Sequence, residues 1–256
     1  MGLNHKGKRM LSFALLSLMS PLLPTGGFTW SQGLEKAVED NLVTNEHTLE
    51  TWVKDSVERG LVFTELPLLI RFYNVATRLL EAGGDDQTLE EPSQELVEPA
   101  LLDQMAPTAQ FWSLMQLSLA VRPTLELRLE EREKGRALLG ILPSLGVKVP
   151  RFLTTDKSAG YLAVLGIAAV AMQLKLDDLL RAFVFTYTES AVMAGAKTVP
   201  LGQNAAWRII RNITAEADNY PIQAQAVSDE EIGAGLVGFA IESARHETMY
   251  SRIYRN

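Results

Sequence analysis

Apolar positions repeat at helical spacing along most of the chain, and alternating strand patterns are nearly absent. Leu11, Leu15, Leu18 and Leu22 mark a first helix at this spacing. The pattern predicts further helices over about 31–42, 48–80, 108–121, 123–142, 156–174, 177–195, 204–217 and 228–249. Because there is no internal repeat and no clear domain boundary, we expect one all-α domain, 1–256, forming a bundle of about eight to ten helices.

Local signals refine the predicted helix boundaries. Ser31 is a candidate N-cap of the second helix, and Ser228 with Glu231 forms a capping-box pair that should start the last helix. Pro67 removes a backbone donor, so we expect it to kink or divide helix 48–80 near Glu65 and Leu66. The uncharged stretch 158–174 is shorter than the roughly 20 apolar residues that cross a bilayer, and we interpret it as a core helix.

Composition narrows the possible chemistry. The chain has no Cys, and its three His (His5, His47 and His246) are far apart in sequence, so we expect no metal site and no cofactor held within it. The net charge is −7, but no Lys or Arg lies between Arg78 and Arg122. The acidic stretch 81–107 is interpreted as a solvated insertion. No basic stripe remains elsewhere, so nucleic-acid binding is not expected.

The amino terminus has two interpretations. Lys6, Lys8 and Arg9 precede the apolar run MLSFALLSLM, an arrangement typical of a secretory signal peptide. However, no A-x-A-like cleavage site follows, and the run leads into Pro21 and Pro24. We therefore favour a packed first helix in a cytoplasmic protein without a membrane span, and an exported helical protein remains the alternative.

Several near-motifs offer weak evidence for catalysis. GAGLVG, residues 233–238, fits a dinucleotide pattern but lies in the predicted last helix, where small residues favour close packing. GAKT, 195–198, lacks the rest of a phosphate loop. The acids of ELRLEEREKGRALL are interpreted as a solvated face with ion pairs along one helix. A helical hydrolase using Ser31 or His246 is the alternative to a non-enzymatic protein, which we favour.

Three segments are left as candidate binding surfaces: PTGGFTWSQGLE, KTVPLGQ and RHETMYSRIYRN. Aromatic and Arg side chains of the kind they contain concentrate binding energy at protein interfaces. Together with LELRLEEREKGRALL, which lies between the first and the second of them, these strings resemble the UreF family of urease accessory proteins. The resemblance extends over most of the chain. Met249 departs from it, because we would expect Gln at that position, and the acidic stretch 81–107 is longer than is usual in the family.

The resemblance implies an all-α, non-enzymatic protein that dimerises, binds a UreD-type (also called UreH-type) accessory protein, and recruits the UreG GTPase to activate apo-urease. Nickel and GTP would then be held by the partners, with none in this chain. It also implies that a docking tail, 245–256, contacts the UreD-type protein through Arg245, His246, Tyr250, Ser251, Arg252, Tyr254 and Arg255. Lys197, Pro200, Gly202 and Gln203 are candidates for the GTPase-facing or dimer surface. Phe28, Trp30 and Glu35 complete the predicted partner-binding set.

Overall fold

The computed structural model describes residues 13–82, 105–150, 153 and 159–255. These residues form eleven α-helices and no strand, which confirms the all-α prediction. The helices are α1 Phe13–Leu18, α2 Leu34–Glu39, α3 Glu46–Asp55, α4 Glu65–Glu81, α5 Pro107–Ala120, α6 Leu125–Ile141, α7 Tyr161–Ala171, α8 Leu176–Thr198, α9 Gln203–Thr214, α10 Asn219–Gln225 and α11 Val237–His246. The acidic stretch 81–107 lies mostly outside the described residues.

The centre of the core is α7, which packs against α4 and α6. Its residues from Tyr161 to Ala169 are buried on every side, as expected for the predicted core helix. Gly166 allows α7 to approach α4, because a Cβ there would lie 2.9 Å from the Cβ of Phe72. None of the described helices is long and apolar enough to span a membrane.

The predicted helix 48–80 is divided, as its proline suggested, although the break comes before Pro67. A π-helical segment, Ser56–Leu61, follows α3, and α4 begins at Glu65. Pro67 lies in the first turn of α4, where its missing N–H would have no partner within the helix. The α-helix is thus interrupted over 56–64, and Pro67 stabilises the start of α4.

Two predicted helix starts are wrong. Helix α2 begins at Leu34 after Gly33, whose φ of +82° places it in the left-handed region, so Ser31 is not the N-cap residue. Ser31 precedes the helix, and its Oγ accepts the N–H of Glu35, the second residue of α2, at 3.4 Å. The Ser228–Glu231 capping box is present, but it starts only a short 3₁₀ turn, Asp229–Glu231.

The last helix therefore begins at Val237 and not at Ser228. GAGLVG consequently does not lie wholly inside a helix, because Gly233 has φ +90° and donates its N–H to the Phe63 carbonyl at 3.0 Å. A Cβ on Gly233 would lie 2.8 Å from the Val121 side chain. Close packing explains Gly233, as predicted, although in an irregular segment. It does not explain Gly235 or Gly238, where a Cβ would meet no atom closer than 3.8 Å.

Candidate functional site

Three glutamates of α6 are buried, contrary to our interpretation of this sequence as a solvated face. Glu126, Glu130 and Glu131 expose 7%, 6% and 5% of their surface. Helical spacing suggested ion pairs along α6, whereas most of the partners lie on other elements. Buried carboxylates require such partners, because an unpaired charge away from water is very costly.

Glu131 holds α6, α7 and the link before α6 together. One of its oxygens accepts the Leu162 N–H at 3.0 Å, in the first turn of α7, and the other accepts from Arg122 at 3.2 Å. Arg122 also pairs with Glu65 of α4. Burial acts to lower the pKa of Arg122, but the two carboxylates outweigh it and raise the pKa above its usual value, so the guanidinium stays charged. This cluster is structural.

A second cluster holds the tail, which we define as residues 247–255. Glu35 of α2 is buried, and its two oxygens accept the backbone N–H groups of Ile253 at 2.7 Å and Tyr254 at 2.9 Å. Helix α2 can reach α11 only because Gly33 has no side chain: a Cβ would lie 2.7 Å from the Ser243 backbone nitrogen. A buried carboxylate on α2 therefore fixes the backbone of the tail.

His246 joins the two carboxylates that contact the tail. Its Nδ1 lies 2.8 Å from Glu126 and its Nε2 lies 3.3 Å from Glu35, and the ring is fully buried. Glu126 also accepts from Arg252 at 2.6 Å. Glu247 in turn accepts the Glu126 N–H at 3.1 Å, at the start of α6. We call Glu35, Glu126 and His246 the clamp, because they connect α2, α6 and α11 to the tail.

The end of the tail lies on the turn that precedes α2. The Arg255 N–H donates to the Thr29 carbonyl at 2.8 Å, and its guanidinium lies 5.1 Å from the Trp30 ring. Arg255 also pairs with Glu133 of α6. These contacts bring the segments around Trp30, α6 and the tail into one site, although they lie far apart in sequence.

Tyr254 connects the tail to the end of α8. Its hydroxyl donates to the Ala194 carbonyl at 3.3 Å, and the Lys197 ammonium lies 5.7 Å from its ring centre. Burial, and secondarily the Glu35 carboxylate, raises the pKa of Tyr254, so the phenol stays protonated as a donor. KTVPLGQ therefore touches the same site through Lys197.

The predicted partner-binding residues divide by exposure. Buried inside the chain are Glu35, His246, Tyr254 and Trp30, so their side chains are out of reach of a docked protein while the tail is bound. Exposed are Arg245, Tyr250, Ser251, Arg252, Arg255, Lys197, Pro200, Gly202 and Gln203. The side chain of Phe28 lies outside what the structure describes. The buried members therefore shape the site, and the exposed ones are available for contact.

His246 and GAKT, which the sequence offered as weak catalytic or phosphate-binding motifs, make structural contacts. Both ring nitrogens of His246 are engaged by carboxylates, so neither is left to activate a serine. GAKT lies in the last turns of α8, where Gly195 packs so closely on Leu49 that a Cβ would lie 2.4 Å from its side chain. No group of three acidic or His side chains in the described ranges is arranged to hold a metal ion.

Comparison with known proteins shows the family of the chain. The family model described as UreF matches residues 43–214. The chain belongs to the UreF family. It is 34% identical to the urease accessory protein UreF of Pseudomonas putida (strain W619) over 242 residues, which cover 94% of this chain and 96% of the relative. The corresponding protein of Marinobacter nauticus is 34% identical over 250 residues, covering 98% and 96%, and that of Chromohalobacter salexigens is 33% identical over 242, covering 94% and 93%.

Membership of the UreF family confirms the resemblance drawn from the sequence strings. The matched relatives bear the name of urease accessory proteins, which is consistent with a non-enzymatic role. The clamp, by contrast, was missed in the sequence. The sequence did carry one signal for the cluster of Glu131, Arg122 and Glu65. The inward side of α6 is formed by residues at helical spacing, Leu127, Glu131, Gly135 and Leu138, so an acid occupies a core position.

Proposed function

We propose that the chain is a scaffold for urease maturation that docks a UreD-type accessory protein on its tail and recruits the UreG GTPase at the end of α8. The observation that carries this proposal is the convergence of the four UreF-like strings on one site. Three of the strings contact the fourth, which contains the tail: they do so through Glu35, Glu126 and Lys197. A set of family-typical residues around an ordered tail is what a docking scaffold requires.

The outer side of the tail supplies a binding surface. Tyr250 is fully exposed and Ile253 is 71% exposed, with Arg252 between them. Two of the helices that hold the tail also expose apolar residues: Val237 and Ile241 on α11, and Leu125 and Leu129 on α6. We call these four residues the α11–α6 face. Aromatic and Arg side chains beside apolar area are typical of protein interfaces, and we assign this side to the UreD-type protein.

The GTPase is assigned to the end of α8 and the link that follows. Lys197, Pro200, Gly202 and Gln203 are all exposed there, and Lys197 also stacks on Tyr254 of the tail. A cation held at a helix end suits contact with an acidic partner surface. Because the tail touches Lys197, docking of one partner would order a residue that faces the other.

Metal and nucleotide chemistry would belong to the partners. We propose that the nickel ion and GTP are bound by the other accessory proteins, that the complete assembly acts on apo-urease in the cytoplasm, and that the chain works as a homodimer. In this scheme the chain contributes surfaces and no reacting group. The matched relatives' name, urease accessory protein, supports a role in urease maturation.

We expect Lys197→Ala to reduce urease activation about tenfold, because the variant removes a charge that contacts the GTPase without touching the core. Lys175→Ala is the matched control, since Lys175 is exposed at the opposite end of the same helix. The measurement is urease activity in cells that express the enzyme, the accessory proteins and one variant of this chain. Equal activity with Lys197→Ala and Lys175→Ala would remove Lys197 from the proposed surface.

A further inference from the structure

A cavity of about 240 Å³ lies between the π-helical segment, the link before α6, and the residues that lead into α11. Its walls are mainly apolar and include Leu61, Val121, Leu127 and Phe239. The charged groups in its lining, Arg122 and Glu65, already pair with each other. A charged occupant would lose its hydration and find no free counter-charge there, so the cavity favours an uncharged, apolar group.

Two glycines that line the cavity are not required for close packing of the fold. A Cβ on Gly60 would meet no atom within 4 Å, and a Cβ on Gly235 would meet only the Gly233 carbonyl oxygen, at 3.8 Å. Both glycines line the cavity, unlike Gly166 and Gly195, which are closely packed in the core. The unused space also borders the π-helical segment, and π-helical turns are frequent at functional sites.

The cavity continues the surface proposed for docking. Val237 lines the cavity and is also 74% exposed as the first residue of α11. Ile241, one turn later on the same helix, is 50% exposed. A protein that covers the α11–α6 face would therefore pass over the mouth of the cavity.

We propose that the cavity receives one uncharged apolar side chain of the UreD-type protein as the anchor of that interface. The lining is mainly apolar and its Arg122–Glu65 pair is already formed, so an uncharged side chain of a protein docked over the α11–α6 face suits it. Anchors of this kind carry a large share of the binding energy at interfaces. The inference rests on the proposed function, because it assumes the docking protein named there.

The absence of cysteine from the chain allows a specific test of occupancy. Gly60→Cys places one thiol in the cavity, and Gly140→Cys places one elsewhere, at a position where a Cβ also meets no atom within 4 Å. We expect a maleimide to label Gly60→Cys about tenfold more slowly in the complex with the UreD-type protein than in the free chain. Gly140→Cys should be labelled at the same rate in both states.

Filling the cavity gives an independent measurement. Gly60→Leu should weaken the affinity for the UreD-type protein about tenfold or more, while Gly140→Leu leaves it unchanged. Unchanged affinity together with unchanged labelling of Gly60→Cys would overturn the inference and leave the proposed function standing. If Gly60→Leu does not fold, the labelling rates decide alone. A small molecule found in the free chain by native mass spectrometry, with Gly60→Cys protected by it, would also overturn the inference. Failure of the unmodified chain to bind the UreD-type protein would instead contradict the proposed function.

Discussion

Replacing Glu35 by Ala should release the tail from the body of the protein. The variant removes the acceptor of two backbone N–H groups and one of the two carboxylates that hold His246. Hydrogen bonds to a charged group contribute roughly 1.5–3 kcal/mol each, so the loss of even one shifts the docking equilibrium of the tail by about tenfold or more. We expect hydrogen exchange at the Ile253 and Tyr254 amides to accelerate by at least about this factor.

The same release should weaken binding of the UreD-type protein about tenfold or more, because that partner would then have to order the tail itself. Glu39→Ala is the control on the same helix, since Glu39 makes only an exposed ion pair with Lys36. It should change neither the exchange rates nor the affinity. If the Ile253 and Tyr254 amides exchange as slowly in Glu35→Ala as in the unmodified chain, the clamp does not hold the tail.

Arg122→Met should cause the largest loss of global stability. Its removal leaves Glu65 and Glu131 without the cation they share, and both lie in poorly solvated positions. Breaking a buried ion pair from one side costs about 3–5 kcal/mol, because the remaining charge is uncompensated. We expect the free energy of unfolding, measured by urea denaturation with circular dichroism, to fall by about that amount.

The proposed cause can be separated from simple loss of packing. Adding Glu131→Gln to Arg122→Met removes one uncompensated charge, so the double variant should regain part of the lost stability. Arg136→Met is the matched control, because Arg136 is exposed on α6 and its loss should change stability by less than about 0.5 kcal/mol. A double variant less stable than Arg122→Met alone would contradict the charge explanation.

Helical periodicity was sufficient to predict the fold class and most helices. It gave α5 and α6 within about two residues, and each of these helices ends shortly before a proline, Pro123 and Pro143. The division of helix 48–80 was expected from Pro67, but the π-helical segment that precedes it has no local signature. The last helix was placed too early because the Ser228–Glu231 capping box is real yet starts only one turn.

The site could be predicted only in part, because spacing along a helix says nothing about neighbours from distant segments. Glu126 and Glu130 have the spacing of a solvated, ion-paired face, and only the fold brings Gln32, His246 and Arg252 against them. Likewise, Glu35 looks like an ordinary first-turn acid of α2. Its role depends on Gly33, which lets α2 approach α11. The predicted set included Glu35, His246, Lys197 and Arg252, which the fold brings together, but the strings did not indicate what each one contacts.

The central claim is that the clamped tail presents its exposed side chains to a UreD-type protein. It is tested most directly by the Kd of that protein for the double variant Tyr250→Ala, Ile253→Asp, because both side chains are exposed and neither contributes a side-chain contact to the clamp. We predict that the Kd rises about a hundredfold, with the circular dichroism and the slow exchange of the Tyr254 amide unchanged. A Kd equal to that of the unmodified chain would contradict the account.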